Sequence, residues 1–465
     1  MLLDKKDGMR KRKKGGIVVG YDMNDEYAQI SYSFSDKDEI ETLAVVAGTE
    51  QYGIPMALCR KRETKQWLFG KEAVKCAKEG EGFPVEKLVS LARNGEPVDV
   101  DGESFDPVAL LALFIRRSLS LLNLIAPVEW LEGMMLTVDC LDGRMVEVLA
   151  RIAVNLNLKT DRIFFQSHVE SYYHYMLHQP EELWSREVLL CDYDNRRMKI
   201  YGFGVNKRTT PMVAMISIDE YGEMERKGIG PGAEGGIDAG IGAGRGTEGS
   251  GIRTGTETET GAGNEEERKR LDEMFLEIAE RKCADREVSC VYLIGDGYKD
   301  GWASRSLRYL CRGRRAFQGN NLYSKGACYG IREKIGLDSG GGEYVFLGLD
   351  KLKANVGMHV LRQGKESYFA MMDAGTNWFE TKKEFDIILE EGDGISLLFT
   401  PLDGKPPREV NMVMEGLKAR PGWTTRLKVT AEMVSEQRLR VMVKDMGFGE
   451  FFPASGGEWN KVFEV

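Results

Sequence analysis

Three of the four histidines, His168, His174 and His178, fall within eleven residues. On a helix Glu170, His174 and His178 stand at i, i+4 and i+8, so they share one face. Imidazole nitrogens and a carboxylate at that spacing can hold a transition metal. The competing reading is a polar helix face, with Tyr172, Tyr173 and Tyr175 packing beside it. Two acidic turns, Asp22-Met23-Asn24-Asp25-Glu26 and Asp192-Tyr193-Asp194-Asn195-Arg196-Arg197, also gather polar groups. Gly295-Asp296-Gly297 reads as a turn at a strand end. No Ser/His/Asp or Cys/His arrangement for nucleophilic catalysis stands out, and Cys59 and Cys76 read as small apolar fillers.

Strands and helices must hold these groups. Ile17-Val18-Val19-Gly20-Tyr21 reads as a buried strand. After the first acidic turn Ala28, Ile30, Tyr32 and Phe34 face one way and Gln29, Ser31 and Ser33 the other, which predicts a β-hairpin. Asp106 offers an N-cap, with Pro107 in the first helical position of a helix apolar through Leu122. A strand at 134–138 leads to a helix with Met145, Leu149, Ile152, Ala153 and Leu156 on one face. A third helical stretch, 169–177, carries His174. Runs 188–191 and 198–203 flank Asp194-Asn195-Arg196-Arg197 as a second hairpin.

Fourteen glycines lie in 228–263, and no aromatic residue lies between Tyr221 and Phe275. Such a segment buries too little apolar surface to offset chain entropy, so 222–264 is expected to be a flexible insertion. Asn264 and Glu267 predict a capping box opening the next helix, with Leu271, Met274, Phe275 and Ile278 as its stripe. A strand at 291–294 then ends in Gly295-Asp296-Gly297. Beyond residue 343 short alternating runs (384–389, 395–399, 426–431, 438–443) predict an all-β sandwich.

A chain of 465 residues suggests about three domains. A net charge of −9 argues against a general nucleic-acid binder. The most apolar stretch, 108–124, is interrupted by Arg116 and Arg117, so no membrane span is expected. Residues 1–15 read as a basic, disordered tail with no apolar segment behind it that would make a secretory signal. Eight scattered cysteines without Cys-x-x-Cys spacing fit a reduced, cytoplasmic setting.

The order hairpin, helices, hairpin, helix, strand with glycine loop, helix resembles the ATPase domain shared by actin, sugar kinases and DnaK-like heat-shock chaperones. Leu136-Thr137-Val138 with 144–156 and 166–177 resembles the chaperone stretch from a Thr-Val-Pro strand to the Glu-Pro-Thr-Ala-Ala-Ala helix. Phe69-Gly70-Lys71-Glu72-Ala73 is similar to its Val-Gly-x-x-Ala, and Ser324-Lys325-Gly326-Ala327-Cys328 to the small-residue run of its last ATPase helix. Leu417-Lys418-Ala419-Arg420-Pro421-Gly422, Leu427-Lys428-Val429 and 439–445 are similar to the peptide-binding β-sandwich, and 344–350 resembles the apolar linker. The chain as a whole resembles a bacterial family of this type that carries a domain of unknown function. The resemblance covers most of 16–450. It implies an α/β, actin-like (ribonuclease H-like) two-lobed domain over 16–221 and 265–343, then a β-sandwich over 344–465 without a helical lid.

The family's two phosphate turns read Asp-x-Gly-Thr-Thr and Asp-x-Gly-Gly-Gly-Thr; only the leading acids Asp22 and Asp192 match here. The chaperone glutamate falls near Ser167. A carboxylate about 4 Å from a phosphate charge costs about 1 kcal/mol in water and about 4 kcal/mol at an effective dielectric near 20. The resemblance implies ATP or ADP with Mg as cofactor, with Asp22, Asn24, Asp192, Asp194, Asn195, Gly295, Asp296 and Gly297 as candidate contacts. It also places Trp378 and Phe379 at a peptide groove, against the reading that they are sandwich core. The expectation is a chaperone-like or scaffold protein with degenerate phosphate turns, a protein or peptide partner, and little or no ATP hydrolysis. An ATP-dependent chaperone or assembly ATPase and an actin-like filament former remain the alternatives.

Overall fold

The computed structural model describes residues 15–46, 48–194, 196–224, 258–284, 286–298, 301–338, 343–402 and 404–465. The basic tail, Asn195 and most of the glycine-rich segment lie outside them. The chain divides into two compact units, one of 1–178, 205–215 and 321–465, the other of 179–204 and 216–320.

The first unit is built on a sheet ordered Ile163–Ser167, Leu131–Val138, Ile17–Met23, Tyr27–Phe34, Glu41–Thr42. The hairpin is antiparallel and the three strands from Ile17–Met23 outward run parallel. Its helices are α1 (Gly70–Lys78), α2 (Leu88–Asn94), α3 (Pro107–Leu119), α4 (Gly143–Leu156) and α5 (His168–Leu177). Local chemistry sets where they begin. The side chains of Asp106, Asp142 and Ser167 accept hydrogen bonds from the first-turn amides of α3, α4 and α5. Buried Val108, Leu111, Phe114 and Ile115 of α3 and Met145, Leu149 and Ile152 of α4 join the first core. Pro107–Leu124 is apolar enough by composition to cross a membrane, yet 56% of it is buried within the protein.

The second unit holds α6 (Thr258–Ala284) and α7 (Ser304–Leu310). Glu187–Tyr193 pairs antiparallel with Met198–Asn206 and parallel with Val288–Ile294, which runs parallel to Arg315–Gln318. Asp272 of α6 accepts the amides of Arg305 and Ser306 and so fastens α7 to α6. The predicted capping box does not open the helix: α6 begins at Thr258, before Asn264, and Glu267 pairs with Arg270 one turn on. Helix continues upstream, so Asn264 is interior and has no free first-turn amide to cap.

The last helix, α8 (Leu322–Lys334), belongs to the first unit. It explains why the polar side of the first hairpin is buried too. Ser31 Oγ lies 2.8 Å from Ser324 Oγ, and the Arg332 guanidinium donates to Ser33 Oγ at 2.8 Å. The small-residue run of α8 has a steric purpose: a Cβ on Gly326 would stand 1.9 Å from the Ser171 carbonyl oxygen of α5. Two four-stranded antiparallel sheets complete the unit. They are ordered Lys365–Met372, Ala354–Arg362, Gly394–Pro401, Arg408–Val413 and Lys382–Leu389, Thr425–Ser435, Arg438–Asp445, Glu458–Glu464. Leu397, Phe399, Leu427, Val429, Leu439 and Val441 fill one core between them.

Candidate functional site

Asp22, Asn24 and Asp25 of the first acidic turn already have partners. Asp22 is buried, and its Oδ1 lies 2.7 Å from Nε2 of His168, the first residue of α5. The His168 ring stacks on Tyr323 at 4.0 Å. Asn24 Oδ1 accepts the amides of Glu26 and Tyr27, both at 2.8 Å. Asp25 turns to α2, where it accepts the Ser90 amide at 2.8 Å and the Ser90 hydroxyl. The turn that would cradle an anion is therefore an Asx turn with its own acceptor in place.

The second turn, in the other unit, repeats this logic. Asp194 Oδ1 accepts the amides of Arg196 (2.9 Å) and Arg197 (2.7 Å), and Arg197 pairs with Glu220 at 3.0 Å. Asp192 stands in register with Ile294, next to Gly295. Gly295 has φ +97°, and a Cβ there would meet the Tyr193 carbonyl oxygen at 2.3 Å. A Cβ on Gly297 would meet the Tyr193 ring at 2.1 Å. Trp302 Nε1 donates to the Gly297 carbonyl at 2.7 Å, and Tyr193, Tyr298, Trp302 and Phe275 pack around the turn. Both glycines are thus required by the packing of Tyr193; Asp296 opens the short 3-10 turn Asp296–Tyr298.

The richest polar cluster lies elsewhere, on α5 of the first unit. Glu170 and His174 are both buried, with Oε1 and Nε2 3.6 Å apart. His174 Nδ1 lies 3.1 Å from Glu333 of α8. Buried Lys351 donates to Glu170 at 2.6 Å and also to Asn377. Burial by itself pushes the Glu170 carboxyl up; Lys351 and then His174 outweigh it and hold it at about 2. Burial opposes the charge of His174, but the carboxylates of Glu170 and Glu333 overcome that and raise it. Lys351 is likewise raised against its burial, by Glu170 and Asp350. Asp350 is pushed up by burial and by the Glu170 charge, and Ser167 donates to its Oδ2 at 3.2 Å. A cavity of about 130 Å³ opens beside the cluster, with Phe164, Phe165, Glu170, His174 and Asn377 in its wall.

In this arrangement Glu170, His174 and His178, the metal candidates of the sequence, each have other partners. Glu170 and His174 stand one turn apart on α5 and His178 caps its end; Glu170 is held by an ammonium and His174 lies between two carboxylates. His178 turns its Nδ1 to the His174 carbonyl oxygen and stacks on Tyr329 at 3.9 Å. Among the described residues no group of three or more His, Cys, Asp or Glu is placed to hold a metal. The peptide-groove candidates Trp378 and Phe379 lie at the sandwich core. Trp378 is buried, and Phe379 is half-buried and packs against that core and the first one.

Residues 39–349 match the model described as the C-terminal part of a family of unknown function, DUF5716. The chain belongs to the DUF5716 family. Residues 351–465 match a second model, a domain of unknown function, DUF8552. No curated protein matches the chain. In this DUF5716 protein the join between the two matched segments falls within the ion cluster. Glu170, His174 and Glu333 come from the first segment, and Lys351 and Asn377 from the second. Lys351, Glu333, Asp350 and His168 were not singled out in the sequence as partners. Lys351 lies 181 positions from Glu170, and no local spacing signals such a pair.

Proposed function

We propose that this chain is a chaperone-like or scaffold protein that binds a protein or peptide partner and turns over little or no ATP. One observation carries the reading: the groups a phosphate and its metal would use are already spent inside the turns. Asn24 and Asp194 each hold two backbone amides of their own turn, and His168 holds Asp22. The ATP-driven chaperone and the filament former both need those groups free.

The sandwich supplies the partner surface in this reading. Its four outer strands each carry one exposed large apolar side chain: Tyr368, Ile388, Val413 and Val462. An outer strand also has one row of backbone groups without a neighbouring strand, which is what an extended peptide pairs with.

The test is calorimetric titration with Mg-ATP and Mg-ADP, beside a thermal-shift series and a phosphate-release assay. A ligand at 100 times its dissociation constant stabilises by about 2.7 kcal/mol, so a bound nucleotide would be plain. The expected result is no heat of binding, no saturable shift and no phosphate above the buffer rate. A saturable shift with phosphate release would overturn the reading in favour of the ATPase.

A further inference from the structure

We propose that Cys59 and Cys76 form an intramolecular, reversible disulfide when the protein meets a two-electron oxidant of the peroxide class. Cys59 stands in the strand Ala57–Lys61, between Trp67–Phe69 and Gly82–Glu86. Cys76 stands near the end of α1, which packs on that small sheet. The two sulfurs lie 3.2 Å apart and share a hydrogen bond. A disulfide needs about 2.05 Å, so the remaining approach is about 1.2 Å, within reach of χ1 adjustment and a small slide of α1. Gly82 keeps the space clear: a Cβ there would lie 2.6 Å from the Cys59 sulfur and 2.9 Å from that of Cys76. No other pair of cysteine sulfurs shares a hydrogen bond among the described residues.

The chemistry balances without a further reactant. Peroxide oxidises the Cys76 thiol to a sulfenic acid and leaves as one water. The Cys59 sulfur then attacks the Cys76 sulfur, the S–O bond breaks, and the hydroxyl leaves with the Cys59 proton as a second water. Two thiols lose two electrons and two protons, and peroxide gains both. A thiol reductant reverses the step by exchange. Burial pushes the Cys59 thiol up to about 12, so little thiolate exists at neutral pH. Both sulfurs are buried, which guards the closed pair, and reaction runs through transient opening of the last turn of α1. The product ties α1 to its sheet.

The experiment uses the full chain with the two exposed cysteines removed, Cys140→Ser and Cys311→Ser. Eight cysteines minus these two leaves six. After stoichiometric peroxide and quenching, a thiol titration in denaturant should fall from six to four. The intact mass should drop by about 2 Da. A non-reduced digest should show the Cys59 peptide joined to the Cys76 peptide, and dithiothreitol should restore six thiols. A further Cys76→Ala change should abolish the cross-link while the other five thiols persist. Six thiols surviving a dose that oxidises Cys140 in the parent chain would overturn the proposal. So would a mass gain of about 32 Da without a cross-link, which marks a sulfinic acid, or a linkage between other cysteines.

Discussion

Replacing Lys351 by methionine should leave Glu170 as a buried carboxylate with its nearest cation gone. Methionine keeps most of the volume, so packing changes little. Glu170 sits at about 2 against an ordinary 4.5, and at about 1.36 kcal/mol per pH unit the difference is worth about 3 kcal/mol. The Lys351 charge is the strongest single influence lowering Glu170, and His174 adds to it. Breaking a buried pair from one side typically costs about 3–5 kcal/mol, so the two estimates agree on about 3. The sign with pH follows from the lowered carboxyl. Its contribution is full above 4.5 and is lost as pH falls toward 2. Lys351→Met should therefore lower the urea midpoint at pH 7 and shrink the acid-side loss of stability seen in the parent. Adding Glu170→Gln removes the stranded charge, and the double variant should regain more than half of the loss. Urea denaturation followed by tryptophan fluorescence at pH 7 and pH 4 reads all four corners of the cycle. A cost below about 1 kcal/mol for Lys351→Met, or a double variant no better than the single, would refute the buried-pair reasoning.

His174→Gln should act on the alkaline side: the raised imidazole stabilises fully below its ordinary 6.5 and ceases to as pH rises through its folded value. The parent should therefore lose stability with rising pH in a thermal-melt series, and the variant should be flatter. Gly326→Ala places a methyl against the Ser171 carbonyl and should cost about 1–3 kcal/mol or more by forcing α5 and α8 apart; an unchanged melting midpoint would count against that contact. Asp445→Asn should loosen the loop it organises. Its carboxylate holds the Arg420 guanidinium at 2.8 and 2.7 Å and the amides of Gly447 and Ser455. Chymotrypsin should then cut faster at Phe451, which is 91% exposed.

The sequence carried the elements whose signals are local. Alternation marked the first hairpin, and the Asp106-Pro107 pair marked the start of α3. Alternation also marked the Thr425–Ser435 strand, whose side chains go in and out in turn. Signals failed where a distant element decided the outcome. Ser31 and Ser33 look like a solvent face, yet α8, about 290 positions away, covers them and supplies Ser324 and Arg332 as partners. Asn264 and Glu267 fit a cap by spacing, but helix extends past them. At the candidate site the clustering of His168, His174 and His178 was visible. What each histidine does was not, because Asp22, Glu333 and the His174 carbonyl come from separate parts of the chain or from the backbone.

On the proposed reading the two acidic turns would resist an anion for different reasons, and the difference can be measured. If a phosphate took the amides of Arg196 and Arg197, the bond count would stay even, but the displaced Asp194 carboxylate would remain beside it. At about 4 Å that repulsion is worth about 1–4 kcal/mol, or roughly 5- to 1000-fold in affinity. In the first turn Asn24 would leave as a neutral carboxamide, so the obstacle there is steric and structural: Asp22 is tied to His168 and Asp25 to Ser90. Asp194→Asn keeps the side-chain acceptor for the two amides and deletes the repulsion alone. If charge were the whole barrier, this variant would bind Mg-ADP. The expectation is that it does not, because Tyr193 already occupies the clearance of Gly295 and Gly297 in the same unit. Calorimetry on Asp194→Asn beside Asp194→Asn/Tyr193→Ala separates the two terms. Binding by the single variant would show that the ring is no obstacle and that electrostatics alone closed the turn.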